Sequence, residues 1–183
     1  DFVAGLSDSA TRTGDRFGFV GCAEATSDEW LLPATMNRAA GAELAERLRA
    51  YQPRGLSSQA LLSAADSLGG RRALVFLVSD FHFPAPLLAQ VLSALAYHDV
   101  VPVMLWDRHE HERLPRFGLV RVFDHETHGS RLLLMRPGLR RRIQERFAVQ
   151  RKQLFDVFAQ HGRLPLLMED GFDADEVTRY FFG

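Results

Sequence analysis

ALVFLVSDFHFP, residues 73–84, holds six consecutive apolar residues and then stops on Ser79, Asp80 and, two positions later, His82. A run of that kind, with Gly69-Gly70 before it and Pro84 after it, predicts a strand buried on both faces. Such strands belong to parallel sheets covered by helices. The same physics says where the polar residues go. In an open parallel sheet ligands bind outside the carboxyl ends of the strands, where the chain turns toward the next helix. The apolar stretch fixes the backbone, and Asp80 and His82 are what it delivers.

Working outward, Pro84 to Tyr97 has helical spacing, and Val100 to Trp106 is a second apolar, β-branched run that ends at Asp107. Strand, helix and strand in that order imply a right-handed crossover between parallel neighbours. Upstream, Phe17 to Ala23 reads as a short strand after the Gly14-Asp15 turn. Trp30 to Pro33 reads as its partner, joined to it by the polar turn Thr26 to Glu29. Asn37 is an N-cap for a helix bearing Ala40, Leu44, Ala45 and Leu48, broken at Pro53 and Gly55. Ser57 or Ser58 caps a helix with Leu61, Leu62, Ala65 and Leu68 that stops at Gly69-Gly70.

Downstream, Leu119 to Phe123 and Arg131 to Met135 flank the polar DHETHGS and predict a hairpin at a sheet edge. A long helix from Gly138 to His161 places Leu139, Ile143, Phe147, Leu154 and Phe158 on its inner face, with Gly162 as its stop. Pro165 to Met168 is the last strand and Asp173 to Phe182 the last helix. No internal repeat, low-complexity tract or linker interrupts the pattern. Residues 1–183 therefore read as a single α/β domain of three layers, with a mostly parallel central sheet flanked by helices.

Composition narrows the function. The 183 residues are 46% hydrophobic and 25% charged, the balance of a globular domain with a sizeable core. A net charge of -1 supplies no global field to steer nucleic acid or an anionic membrane, so neither is expected as a partner. No apolar run approaches the roughly 18 residues of a transmembrane helix, and DFVAGLSDSA has no signal-peptide pattern. A soluble chain in the cytoplasm is the expectation. Cys22, alone, excludes an internal disulfide and fits a reducing compartment.

Two kinds of chemistry compete for the polar residues. Asp80 and Asp107 sit at the carboxyl ends of two strands and suit partner or ligand binding, the plainer alternative being that each only caps its loop. DRHEHERL and FDHETHGS offer His109, His111, His125 and His128 with Asp107 or Asp124, a donor set for zinc or manganese in a metal-dependent hydrolase built on loops 107–112 and 124–128. Residues 107, 109 and 111 share a face only in an extended segment, and Arg108, Glu110 and Glu112 suit a solvated loop equally well. Nucleophilic catalysis has less support: Ser79 lacks a GxSxG elbow, and Cys22 lies mid-strand without a basic neighbour. No P-loop and no GxGxxG occurs, which excludes the usual ATPase and dehydrogenase sites. Arg140, Arg141, Arg142, Arg146 and Arg151, with Glu145 and Asp156 among them, read as a solvated helix face.

The ordered set LVFLVSDF, HDVVPVMLWDRHEHERLP, GLVRVFDHETH, an Arg-rich helix and RYFFG, with GDRFGFVGCAE and YQPRGLSSQALLSA upstream, resembles the bacterial von Willebrand factor A-like proteins classed as domain-of-unknown-function family fifty-eight. The resemblance runs from about residue 12 to 182. It implies a von Willebrand A-type fold and a metal-ion-dependent adhesion site made from a DxSxS motif, a Thr before the third helix and an Asp after the fourth strand. Carried onto this chain, Asp80 matches that Asp and Ser57 stands where the Thr would be. Mg²⁺ suits such oxygen donors. No DxSxS is present, since DSA at 8–10 lies in what should be the first helix. The resemblance therefore implies a chain that begins inside that helix, with a degenerate metal site.

It also implies a non-enzymatic interaction module, a partner of a MoxR-type AAA+ ATPase in assembling or remodelling other complexes. Asp80, His82 and Asp107 would form the partner face. Loss of a central first strand would leave exposed sheet edges for self-association, and a complete protein of this family has room for a membrane anchor.

Overall fold

The computed structural model describes residues 1–22, 26–51, 60–106, 115–124, 129–169 and 171–182; side chains at 26–28, 121–124 and 129–131 lie outside the description. The chain divides into two compact units, Asp1–Arg71 and Arg72–Gly183.

In the first unit, α1 (Phe2–Thr13) ends at Gly14, whose φ of 86° is the left-handed geometry that a residue without Cβ adopts freely. A hairpin follows, β1 (Phe17–Cys22) against β2 (Thr26–Thr35), paired from Phe17↔Thr35 to Cys22↔Thr26. The polar residues 26–29, expected as a turn, are instead the first residues of β2. A ladder is held by backbone groups, and those remain available whether or not the side chains are polar.

Asn37 caps α2 (Arg38–Ala50) as expected, its Oδ1 accepting the Ala39 N–H at 3.0 Å. α3 (Ala60–Asp66) follows, while Ser57 and Ser58 lie outside the described residues. α1 packs on α2 through a close approach: a Cβ added at Gly41 would lie 1.7 Å from Ser7 Oγ. The Arg47 guanidinium covers the Trp30 ring at 4.9 Å and donates to the Glu29 carbonyl at 2.6 Å.

The second unit holds the strand that decides the fold. β3 (Leu74–Ser79), α4 (Ala85–Ala94) and β4 (Asp99–Trp106) form the expected crossover, in register from Leu74↔Asp99 to Ser79↔Met104. β7 (Leu166–Glu169) pairs on the other side of β4, giving a three-stranded parallel sheet in the order β3-β4-β7. Alternation puts Val100, Pro102, Met104 and Trp106 on one face and Val101 and Val103 on the other, and all six are buried. Trp106 meets Phe147 of α5 (Pro137–Gln160) at 6.3 Å, and Phe76 on the opposite face meets Phe181 of α6 (Ala174–Phe182) at 6.2 Å. Helices thus lie on both faces of the sheet. At its entrance Arg72 donates to the Asp99 carboxylate at 2.7 Å, which holds that carboxyl below its ordinary range.

Three expectations need correction. β3, read as buried on both faces, buries only Leu77 and leaves Leu74 and Val78 exposed, because it is an edge strand of the three-stranded sheet and the central β4 takes the cover of both layers. The pair β5 (Gly118–Asp124) and β6 (Gly129–Met135) forms as read, yet it makes its own two-stranded sheet and not an edge of the parallel one. Both edges of β4 are already occupied by β3 and β7. On α5 only Leu154 and Phe158 are buried, whereas Leu139, Ile143 and Phe147 are half-exposed. Twenty-four helical residues run about 36 Å, beyond the roughly 26 Å of the eight-residue β4, and with Phe147 against Trp106 at that strand's last residue the turns before Phe147 run past the end of the sheet. Among the described residues no strand pairs with the second edge of β3, and no helix is long and apolar enough to cross a membrane.

Candidate functional site

The carboxyl end of β3 is a knot of hydrogen bonds between residues one or two apart. The Phe81 N–H donates to Ser79 Oγ at 2.9 Å, the His82 N–H to Asp80 Oδ1 at 3.2 Å, and the Ser79 hydroxyl lies 3.4 Å from that same oxygen. Here side-chain acceptors take over the backbone donors that the ladder no longer serves, which is how Ser and Asp make turns. The turn forces Phe81 to φ 54°, a left-handed backbone that costs a residue with a side chain about 1–3 kcal/mol. Its ring offsets that cost. It is fully buried, 5.6 Å from the Phe83 ring and edge-on to Phe158 at 5.3 Å. The buried ring pins the turn, and the flanking residues face outward: the Asp80 side chain is 61% exposed and His82 37%, with His82 Nδ1 3.5 Å from Asp80 Oδ2.

α5 joins this turn to the end of the next strand. Phe147 lies 6.2 Å from the His82 ring and 6.3 Å from Trp106, the last residue of β4. One turn further along α5, the Arg151 guanidinium stacks 5.5 Å over Trp106 and 5.5 Å over Phe155. Glu169 ends β7 in register with Trp106. Carboxylates and an imidazole are therefore carried at the carboxyl ends of the parallel strands, with a guanidinium brought by α5 over the ring of Trp106. Groups of this kind bind a protein surface by charge-assisted hydrogen bonds.

Of the residues singled out in the sequence, the structure brings Asp80 and His82 together. Ser57, Asp107, His109, His111, His125 and His128 lie outside the described residues, as does the Asp124 side chain. Trp106, Phe147, Arg151 and Glu169 were not read as site residues. Phe147 was assigned to the core and Arg151 to a solvated arc. The spacing of Phe147, Arg151 and Phe155 at four residues, set against a Trp at a strand tip, was the available signal.

Mg²⁺ asks for about six oxygens in near-octahedral array. At this strand end Asp80 and Ser79 give one carboxylate and one hydroxyl, and that hydroxyl oxygen already accepts the Phe81 N–H. Among the described residues no three His, Cys, Asp or Glu are grouped to hold a metal, and these donors alone do not make a Mg²⁺ site. Elsewhere, burial pushes the Cys22 thiol up, away from the reactive thiolate.

Known proteins resemble this chain in three ways. An "Uncharacterized protein in moxR 3'region" from Paracoccus denitrificans is 33% identical over 102 residues, which is 56% of this chain and 97% of that protein. The crystal structure of an "Uncharacterized Membrane Spanning Protein from Vibrio fischeri" aligns with 99% of this chain and 82% of its own at 15% identity, with a TM-score of 0.25, too low to show a common fold. The model of the family described as "Protein of unknown function DUF58" matches residues 2–153. With that match spanning the ends of β3 and β4 and most of α5, the chain belongs to the DUF58 family.

Proposed function

We propose that this protein is a non-enzymatic protein–protein interaction module, the partner of a MoxR-type AAA+ ATPase in assembling or remodelling other complexes. Asp80, flanked by His82 and joined by Asp107, the residue that follows β4 in the sequence, is the group the partner grips. The observation that carries this reading is the turn itself, in which a mostly exposed carboxylate is held by a buried, left-handed Phe81. A preorganised acceptor loses little conformational freedom when it is bound. The name of the Paracoccus denitrificans relative, which places that protein beside moxR, supports the choice of partner.

The test is capture of a purified MoxR-type ATPase by the full chain. Asp80→Ala is expected to weaken capture at least about tenfold, and Asp80→Asn, which keeps the shape but not the charge, nearly as much. Equal capture by wild type and both variants overturns the reading. Its finer form, Mg²⁺ held by Asp80 with Ser57, is tested by calorimetric titration of Mg²⁺ into wild type and Asp80→Ala. The same proposal gives the edge of β3 with which no described strand pairs to a second copy of the chain, because an apolar strand without charged or Pro residues is an open template for pairing.

A further inference from the structure

We infer that the outer face of the β5–β6 hairpin, with the arginines that follow it, is a docking surface for an anionic lipid bilayer. The register sets Leu119 opposite Leu134, and Leu132 lies two residues along the same strand, so the three leucines share one face. They are exposed at 68%, 51% and 57%, and Phe117, just before β5, at 71%. The other face of the hairpin carries Val120 and Leu133, half-buried, and Met135, fully buried. A hairpin with one solvated side should alternate apolar and polar residues, and the described side chains of this one are apolar on both. A patch like this marks a surface that something covers.

Charge identifies what covers it. Between residues 136 and 146 the chain has five arginines, Arg136, Arg140, Arg141, Arg142 and Arg146, against one acid, Glu145. That acid pairs with Arg141 at 3.3 Å, in a geometry that leaves the arginine side chain 81% exposed. The net charge of -1 for the chain averages this local excess away. Gly118 pairs with Met135, so Arg116, Phe117 and Arg136 cluster at the open end of the hairpin, beside the leucines.

Leucine and phenylalanine next to arginines match the two layers of a bilayer interface. The side chains enter the acyl boundary, and the guanidinium groups take headgroup phosphates as bidentate donors. Among the described residues the two strands of the hairpin pair only with each other, and a lone two-stranded ribbon is marginal in water, which favours a partner that receives its apolar face without a matched socket.

The test is sedimentation of the full chain with vesicles of mixed phosphatidylglycerol and phosphatidylcholine, and with phosphatidylcholine alone. Wild type is expected to sediment with the anionic vesicles, at least about tenfold more weakly with the neutral ones, and less as salt is raised. Leu132→Ser/Leu134→Ser and Arg141→Glu/Arg142→Glu, all at exposed positions and checked for unchanged circular dichroism, should each lower binding about tenfold or more. Asp80→Ala should sediment like wild type, which separates this surface from the partner site. Wild type that stays in the supernatant with anionic vesicles overturns the inference. So does a loss confined to the arginine variant, which would be plain charge adsorption.

Discussion

Phe81 shows how one residue trades backbone cost for position. Replacing it with Ala removes the ring packed on Phe83 and Phe158 and keeps the left-handed backbone, so a loss of about 3–5 kcal/mol in urea unfolding is expected. Phe81→Gly loses the same ring but not the comfort of the backbone, and should be the more stable of the two by about 1 kcal/mol. Identical midpoints for the pair would refute the strained turn. Gly41 gives a second case: Gly41→Ala drives a methyl into Ser7 and should cost about 1–3 kcal/mol, while adding Ser7→Gly should recover most of it. Asp99 gives a third, in pH. Its folded carboxyl is held below the ordinary 3.8 by the Arg72 hydrogen bond, so the pair's contribution is present above that value and fades as pH falls through the lowered one. Acid titration of Asp99→Asn should lack this step, and because both partners are solvent-exposed the step should shrink in high salt. Asp80 was legible in sequence because strand period and turn chemistry are local. The geometry of Phe81 was not, since it depends on Phe158 from a distant helix, and no local preference puts an aromatic residue in a left-handed turn.

At the scale of elements, the parallel strands could be read from their continuous apolar runs, and in β4 the run does reflect burial on two faces, whereas β3 has the run with only Leu77 buried. Lengths and pairings were harder. α5 was read with one continuous inner stripe, yet a helix buries only what lies over it, and the sheet beneath is shorter than the helix. The hairpin was read at the edge of the main sheet because a pattern of alternation identifies a strand without naming its neighbour. β3 carries the testable consequence. If its open edge receives a second copy, wild type should sediment as a concentration-dependent dimer, and Val78→Lys, at a position already 40% exposed, should leave it monomeric. A monomer at all concentrations would remove that part of the proposal.

For the whole molecule, the order of elements was visible in the sequence, because most boundaries are punctuated by Gly, Pro or Asn. The split into one parallel sheet and two separate hairpins was not, because which edges meet is decided by contacts between distant segments. The division into residues 1–71 and 72–183 also allocates the two tryptophans, Trp30 to the first unit and Trp106 to the second. Each indole lies under a guanidinium, Arg47 in one case and Arg151 in the other. The molecule thereby contains a native fluorophore in each half, and the variants Trp30→Phe and Trp106→Phe would let emission follow either half alone as denaturant is added, with no dye or label introduced.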